Sequence, residues 1–384
     1  MSDTLPKGWK WVKLGEVAEI KMGQSPESKY YNDKGIGLPF LQGNKTFGYK
    51  YPEIDIFCSN PIKIAKKGEV LISVRAPVGD INIINQDICI GRGLASINSL
   101  FNQNEFLFYC LKYSKNDLLA SETGTVFGSI NKDTLNNFPI PLPPLPEQKA
   151  IAEVLSSLDD KIELLHRQNK TLEEMAMTLF RQWFIEPTKD GLTDEWEEGK
   201  LKDIYFLEKG IEPGSKNYLE TPSIDAIRFI RVGDMLDNKA NVYIQKDLVG
   251  NSICKFDDIL VSFDGTVGRV SFGIEGCYSS GIRKIYSKDE IYNKLWLKHQ
   301  IFISEEIQDE INMYAEGTTI LHASSSIEYM SFPFPPKEKI EEYDKFFDPI
   351  YKKMLHNKKS IQTLEKLRDT LLPKLMNGEV RVKF

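Results

Sequence analysis

The chain has 384 residues, of which 41% are hydrophobic and 11% aromatic, enough apolar material for two ordinary domains and too much for a disordered polymer. A net charge of −6 excludes a uniformly basic nucleic-acid binder and leaves room for a local basic face. No apolar run reaches the roughly 20 residues of a membrane span, and the opening MSDTLPKGWKW lacks the apolar core of a signal peptide. Cys58, Cys89, Cys110, Cys254 and Cys277 are odd in number and never in C-x-x-C spacing, which fits buried thiols in a reducing, cytoplasmic setting better than zinc.

Residues 1–146 mix short β-branched runs (EVLISV, DINIINQDICI) with Gly, Asn and Pro punctuation, the pattern of a strand-rich α+β domain. Within it, NEFLFYCLKYSKNDLLA (104–120) reads as one amphipathic helix. Residues 147–187 switch to helical period, with Ile151, Leu155, Leu158, Ile162, Leu165, Leu172, Ala176, Leu179 and Trp183 spaced by fours and threes. Pro146 suits the first turn of this helix, Glu147 its positive end, and Pro187 stops it. Asn169 interrupts the seam as a register-setting polar residue, so its replacement by Leu is expected to be tolerated. A polar linker, TKDGLTDE, opens a second mixed domain, 188–336, with an amphipathic helix near 294–313. Residues 337–384 form a last helix with Phe347, Ile350, Met354, Ile361, Leu364, Leu367 and Leu371 on one face. Pro373 is expected to disrupt its final turns and Gly378 to cap them.

The two halves repeat one order of landmarks. Trp11, Leu14 and Gly23 answer to Trp196, Leu201 and Gly210, and GEVLISVRAPVG (68–79) answers to DDILVSFDGTVG (257–268). Gly93 answers to Gly281, Gly124-Thr125 to Gly317-Thr318, and FPIPLPP (138–144) to FPFPP (332–336). The period is far beyond the roughly 20–50 residues of a solenoid, so this is a duplicated domain plus helix. A helix of some 38 residues is about 57 Å long, too long for one domain to cover. The two helices are therefore expected to pair as an antiparallel coiled coil with pseudo-two-fold symmetry, using Ile151, Leu155, Leu158, Ile162, Leu165, Asn169, Leu172 and Leu179 against Ile350, Met354, Ile361, Leu364 and Leu371.

Catalytic signatures are missing. There is no G-x-x-x-x-G-K-[ST] or G-x-G-x-x-G, and GRGLAS (91–96) has only the first two glycines. His166, His299, His322 and His356 lack metal-ligand neighbours at helical spacing, and no nucleophile elbow is present. FPFPP lacks the Asn of an amino-methyltransferase tetrapeptide.

The stretch GTVFGSINKDTL (124–135) followed by FPIPLPPLPEQKAIAEVLSSLDDKI (138–162) resembles type I restriction-modification specificity subunits, as do GWKWVKLGEVAEIKMGQSP (8–26) and GEVLISVRAPVG. The likeness covers essentially the whole chain; the second connector departs from it, with Lys339 near where the first half has Gln148. The resemblance implies two target recognition domains, each reading half of a bipartite double-stranded DNA site. It implies helices that set the spacing and dock methyltransferase subunits, two per chain, with restriction subunits in the full complex. It implies no cofactor on this chain: S-adenosylmethionine, ATP and Mg²⁺ belong to the partners.

Phosphate contacts want Lys, Arg and hydroxyls, and base contacts want Arg, Asn, Gln, Asp or Glu in a groove. The candidates are Gln42, Asn44, Lys45, Lys50, Arg75 and Arg92 in the first half, and Arg228, Arg231, Asp234, Arg269, Arg283, Lys284 and His322 in the second. The glycines Gly79, Gly268, Gly93 and Gly281 read as turn-defining. Two other classes fit the doubling: a stand-alone DNA-binding regulator, which would bind its site without partners, and an enzyme with duplicated active sites. The second requires matched polar side chains, yet Arg75 faces Asp264 and Arg92 faces Ser280. Divergence on a retained scaffold suits two readers of different sequences.

Overall fold

The α+β pattern takes shape as two structural units. A computed structural model describes residues 5–120, 128–189, 191, 196–237, 242–317 and 321–383. Gly124, Thr125, Thr318 and most of the 188–195 linker lie outside the described residues. One unit comprises Met1–Leu164 with Ile361–Phe384, the other Leu165–Ser360. The division falls inside both long helices, whereas the sequence suggested helices as segments of their own. Each helix half packs into the core of the domain beside it, and that burial decides where it belongs.

In the first unit the main strands are β1 (Lys10–Lys13), β2 (Ala18–Met22), β3 (Leu38–Leu41), β4 (Val70–Ser73), β5 (Ile81–Ile83), β6 (Ile88–Ile90), β7 (Leu94–Ser99) and β8 (Pro139–Leu142). β2, β7, β4 and β5 form an antiparallel sheet in that order, β1 pairs with β8, and β3 runs parallel to β6. The first-unit helix α1 (Asn104–Tyr113) lays its buried run Phe106–Leu111 on β4, β5 and β7. The second unit repeats this plan with β9 (Glu197–Lys200), β10 (Phe206–Lys209), β11 (Ala226–Ile230), β12 (Ile259–Ser262), β13 (Val270–Ser271), β14 (Gly276–Tyr278), β15 (Ile282–Tyr286) and β16 (Ser331–Phe334). Here the sheet order is β10, β15, β12, β13; β9 pairs with β16, and β11 runs parallel to β14.

Two readings of the sequence need correction. The helix expected over 104–120 divides at Ser114 and continues as Lys115–Ala120. Its counterpart divides at Ser304, whose ψ of 147° is extended, into Leu295–Ile303 and Glu305–Met313. Second, Trp9 and not Trp11 is the partner of Trp196. Strand alternation turns Val12 inward and leaves Trp11 40% exposed, while Trp9, just ahead of β1, is 8% exposed.

The two long helices are α2 (Leu145–Phe180), continued by a π turn Arg181–Ile185, and α4 (Lys337–Met376); the short α3 (Leu295–Ile303) of the second domain lies between them in the sequence. α4 runs through Pro349 and Pro373 without a break. Leu375 and Met376 are buried in the first core and hold the last turn, so the hydrogen bond lost at Pro373 does not end it. Gly378 follows with φ +74°, the left-handed conformation favoured just past a helix end.

Within each unit the helix halves run antiparallel. In the first, Arg381 pairs with Glu147 and Arg368 with Asp159. In the second, Asn357 bonds Asn169 at 2.9 Å and Trp183 stacks on Tyr343 at 4.9 Å. Ile151, Leu155, Ile162, Leu165, Met354 and Ile361 are buried; Leu158, Asn169, Leu172, Leu179, Ile350, Leu364 and Leu371 are half-buried; Leu367 is exposed. The buried stripe also takes in Asp159, Phe180 and Phe184, because each helix covers its own domain as well as its partner. At the start of α2, buried Glu147 accepts from Trp9 Nε1 at 3.0 Å and from Arg381 Nη2 at 2.7 Å. Arg381 Nη1 also reaches the Lys7 carbonyl, bringing residues near both ends of the chain together.

Asn357 is fully buried, and its Oδ1 has no partner among the described residues. Asn169→Leu would remove the nearer acceptor of its amide as well, leaving only Gln168 Oε1 at 3.5 Å, so it is expected to destabilise by about 1–3 kcal/mol, reversing the sequence expectation. The double change Asn169→Leu with Asn357→Leu is expected to melt at or above the parent temperature. Urea melts of the two variants distinguish the cases.

His299 supplies a pH test of the second core. Its Nδ1 lies 2.7 Å from the Tyr351 hydroxyl, and burial, with Lys358 nearby, pushes its pKa down to about 3. The unfolded chain takes up this proton near pH 6.5 and the folded chain does not. Stability is therefore present above that pH and lost as pH falls toward 3, by about 2 kcal/mol between pH 7 and 5. His299→Gln is expected to flatten that slope in urea melts run at both pH values.

Candidate nucleic-acid interface

In each unit the parallel strand pair places two loop starts side by side. In the first unit, β3 and β6 register Leu41 against Ile90, so Gln42 and Arg92 leave the sheet at one rim. Backbone bonds tie the loops together there: Gly91 N to Leu41 O at 2.7 Å, Gly93 N to Gln42 O at 3.1 Å, and Val74 N to Gly93 O at 2.9 Å. The approach is too close for side chains. A Cβ on Gly93 would lie 2.6 Å from Gln42 O, and one on Gly23 2.2 Å from Gly91 O. Gly23 and Gly93 are thus needed for close approach, while Gly79, at φ +83°, is needed for its turn.

The loop after β4 is braced by Ser73, whose Oγ donates to Pro77 O at 2.8 Å and accepts from Asp80 N at 2.9 Å. The loop after β12 repeats it: Ser262 Oγ donates to Thr266 O at 2.6 Å and accepts from Arg269 N at 2.9 Å, with Gly268 at φ +78°. The second rim is tied the same way, through Ser279 N to Ile230 O at 2.9 Å and Phe263 N to Gly281 O at 2.8 Å. A Cβ on Gly210 would lie 2.2 Å from Ser279 O, as at Gly23.

On the first rim, Gln42, Lys45, Arg75 and Arg92 are exposed. Ser25, which the sequence reading missed, links two of them by donating to Gln42 Oε1 at 2.9 Å and accepting from Arg92 N at 3.2 Å. Asn44 is half-buried and holds the rim together, with Nδ2 on Asp80 Oδ2 at 2.6 Å; Lys115 Nζ takes the other carboxylate oxygen at 2.7 Å. Lys50 is not on this surface. It is 1% exposed, with its ammonium on Asp160 at 2.7 Å and Glu105 at 3.5 Å.

On the second rim, Arg231 is exposed and pairs with Asp234 at 3.0 Å. Asp234 is buried and also accepts the Arg231 N–H, so it orients Arg231 and does not face outward. Arg269 Nη1 braces the Val232 carbonyl at 3.0 Å. Arg283, 6% exposed, is turned inward to Ser280 O, Ile282 O and Ser324 Oγ, which corrects its place among the contacts. Lys284 pairs across the sheet with Glu208 at 2.8 Å, away from the rim. Arg228 is half-buried on β11 opposite Tyr243, and burial lowers its pKa. His322 is exposed and lies with Nδ1 2.8 Å from Asp264 Oδ1 on an adjoining two-residue ladder.

The hydrogen-bonded frames match position by position. Gln42 stands where Arg231 stands, Arg75 where Asp264 stands, and Arg92 where Ser280 stands; Ser129, bridged to Arg75, matches His322, bridged to Asp264. The frame residues Ser73/Ser262, Gly79/Gly268 and Gly23/Gly210 are kept, and the outward side chains differ in charge and in donor–acceptor character. Such rims can hold phosphate oxygens and present different hydrogen-bond patterns to base edges. The five cysteines are buried, with burial pushing Cys110 and Cys254 up to about 12. No group of three His, Cys, Asp or Glu side chains among the described residues is arranged to hold a metal ion. No helix among them is long and apolar enough to cross a membrane.

Comparison with known proteins gives a consistent result. A family profile described as "Type I restriction modification DNA specificity domain" matches residues 6–174 and again 193–366. The putative type I restriction enzyme MjaX specificity subunit of Methanocaldococcus jannaschii is 45% identical over 174 residues, 44% of this chain and 41% of that protein. The MjaIX specificity subunit of the same organism is 28% identical over 424 aligned residues, 99% of this chain and 95% of that one. A crystal structure of the type I restriction-modification system S subunit from M. genitalium shares the fold, with a TM-score of 0.60 at 16% identity over 98% of this chain and 97% of that one.

Proposed function

The chain belongs to the family of type I restriction-modification DNA specificity domains, which it carries twice, and on that premise we propose that each rim reads one half of a bipartite double-stranded DNA site. The observation that carries this reading is the pair of matched frames with unmatched side chains. A duplicated frame offers the same docking to two stretches of duplex, and Gln42, Arg75 and Arg92 against Arg231, Asp264 and Ser280 make the two stretches different in sequence. The long helices join the readers, set the spacing and dock methyltransferase subunits, two per chain, and restriction subunits join in the full complex. The chain itself catalyses nothing in this reading. S-adenosylmethionine sits on the methyltransferase subunits, and ATP with Mg²⁺ on the restriction subunits.

The test is the methylome of cells with and without the chain, followed by single changes on the rims. Loss of one bipartite methylated sequence on deletion supports the reading; an unchanged methylome counts against it. Arg92→Ala and Arg75→Ala are expected to relax base choice in one half-site by about 1–3 kcal/mol per lost bidentate contact and to leave the other half-site unchanged. Calorimetric titration of the isolated chain with S-adenosylmethionine is expected to give no binding heat; saturable micromolar binding would refute the division of labour.

A further inference from the structure

The segment leaving β3 is exposed at one end and clamped at the other. Gln42 and Lys45 lie on the first rim, while Tyr49 and Lys50, a few residues on, turn onto the long helices. The Tyr49 hydroxyl donates to Asp159 Oδ1 of α2 at 2.6 Å, and Arg368 Nη1 of α4 reaches the same oxygen at 3.0 Å while also touching the Tyr49 hydroxyl. Tyr109 of α1 donates to Asp159 Oδ2 at 3.0 Å. Beside them, Lys50 is held 2.7 Å from Asp160. Asp159 is fully buried, so this one carboxylate gathers the reader segment, the domain helix and both long helices.

Burying charges in this way adds little net stability compared with a well-packed apolar contact, because desolvation offsets the attraction. What it supplies is a single geometry. Apolar faces can slide by a fraction of a turn at small cost, whereas a tilt here strips partners from a buried carboxylate, Asp159. In the second unit the corresponding place holds Tyr351, contacted by His299 at 2.7 Å and Gln300 at 2.9 Å, a network without a carboxylate at its centre.

We propose that Asp159 is a positioning residue for DNA recognition: the strap 42–51, clamped through Tyr49 and Lys50 to Asp159, Asp160 and Arg368, fixes where the first rim stands on its helix pair. It thereby sets the number of base pairs the protein demands between half-sites. This inference rests on the reading of the rims as half-site readers. Asp159 touches no base, and its effect is on spacing, not on base choice.

The experiment uses the full chain assembled with its methyltransferase subunits, tritiated S-adenosylmethionine, and duplexes carrying both half-sites with the native spacer or one base pair more or fewer. Asp159→Asn is expected to lower the preference for the native spacer at least 10-fold while keeping the preference for native bases within each half-site. Tyr49→Phe, which removes one hydroxyl, is expected to lower the same spacer preference about 3-fold. A merely structural role would reduce methylation of all three duplexes in proportion and leave their ratio unchanged, and that result overturns the proposal. If Asp159→Asn does not fold, Tyr49→Phe and Lys50→Met decide it: an unchanged spacer ratio in both overturns it. If the unaltered protein shows no dependence on two half-sites, the half-site reading itself has failed, a result distinct from failure of the strap.

Discussion

Exchanging residues 8–142 for the equivalent segment of a relative is expected to rewrite one half of the methylated sequence and leave the other half intact. The segment carries the whole first rim, and the second rim is built from residues 205–324 with its own hydrogen-bonded frame. Each mismatched base pair costs about 1–3 kcal/mol, so a half-site mismatched at three positions should lose on the order of 10²- to 10⁶-fold in methylation rate. The exchanged segment must retain Tyr49 and Lys50, whose partners Asp159, Asp160 and Arg368 lie outside it. Sequencing of methylated bases in cells carrying the chimera checks the outcome. Alteration of both half-sites by this one exchange would refute independent readers.

Ile162→Asp is the second change with a large expected effect. Ile162 is fully buried on α2, one turn beyond Asp159. Loss of its burial removes about 1.5–3 kcal/mol, and an unpaired buried carboxylate adds several more. The sum is on the order of 5 kcal/mol or more, comparable with the whole stability of many domains. The expected result is a chain that melts many degrees lower and no longer elutes with methyltransferase subunits on a sizing column. Leu158→Asp, at a position that sequence periodicity places on the same seam, should cost clearly less because Leu158 is only half-buried. Parent-like melting of Ile162→Asp would show that the helix packing is misplaced.

These two positions illustrate what was legible in the residues. Regular spacing of Leu and Ile marked both long helices, and repeated glycines marked the duplication, because backbone approach at Gly23 and Gly210 tolerates nothing larger. Periodicity weighs only apolar residues, so it missed Asp159, a carboxylate buried on the helix face by partners from distant segments. Lys50 looked like a phosphate contact because a lysine among glycines and aromatics is usually solvated; the acids that draw it inward lie 55 and 110 positions away in the chain. The rims depended on parallel pairing of strands that are not neighbours in sequence, Leu41 beside Ile90 and Ile230 beside Tyr278, which local patterns do not encode. Ser25 has no motif of its own and becomes visible only when that pairing brings Gln42 and Arg92 to it.

The meeting of Lys7, Trp9, Glu147 and Arg381 has a topological consequence. With Lys7 and Arg381 in contact, the stretch between them can be closed into a ring and reopened in the polar linker between the halves. A circular permutant that joins the residues after Arg381 to those before Lys7 by a short glycine linker, and opens within TKDGLTDE, would exchange the order of the halves along the gene. Its target sequence should be unchanged, since order along a chain is not order along DNA.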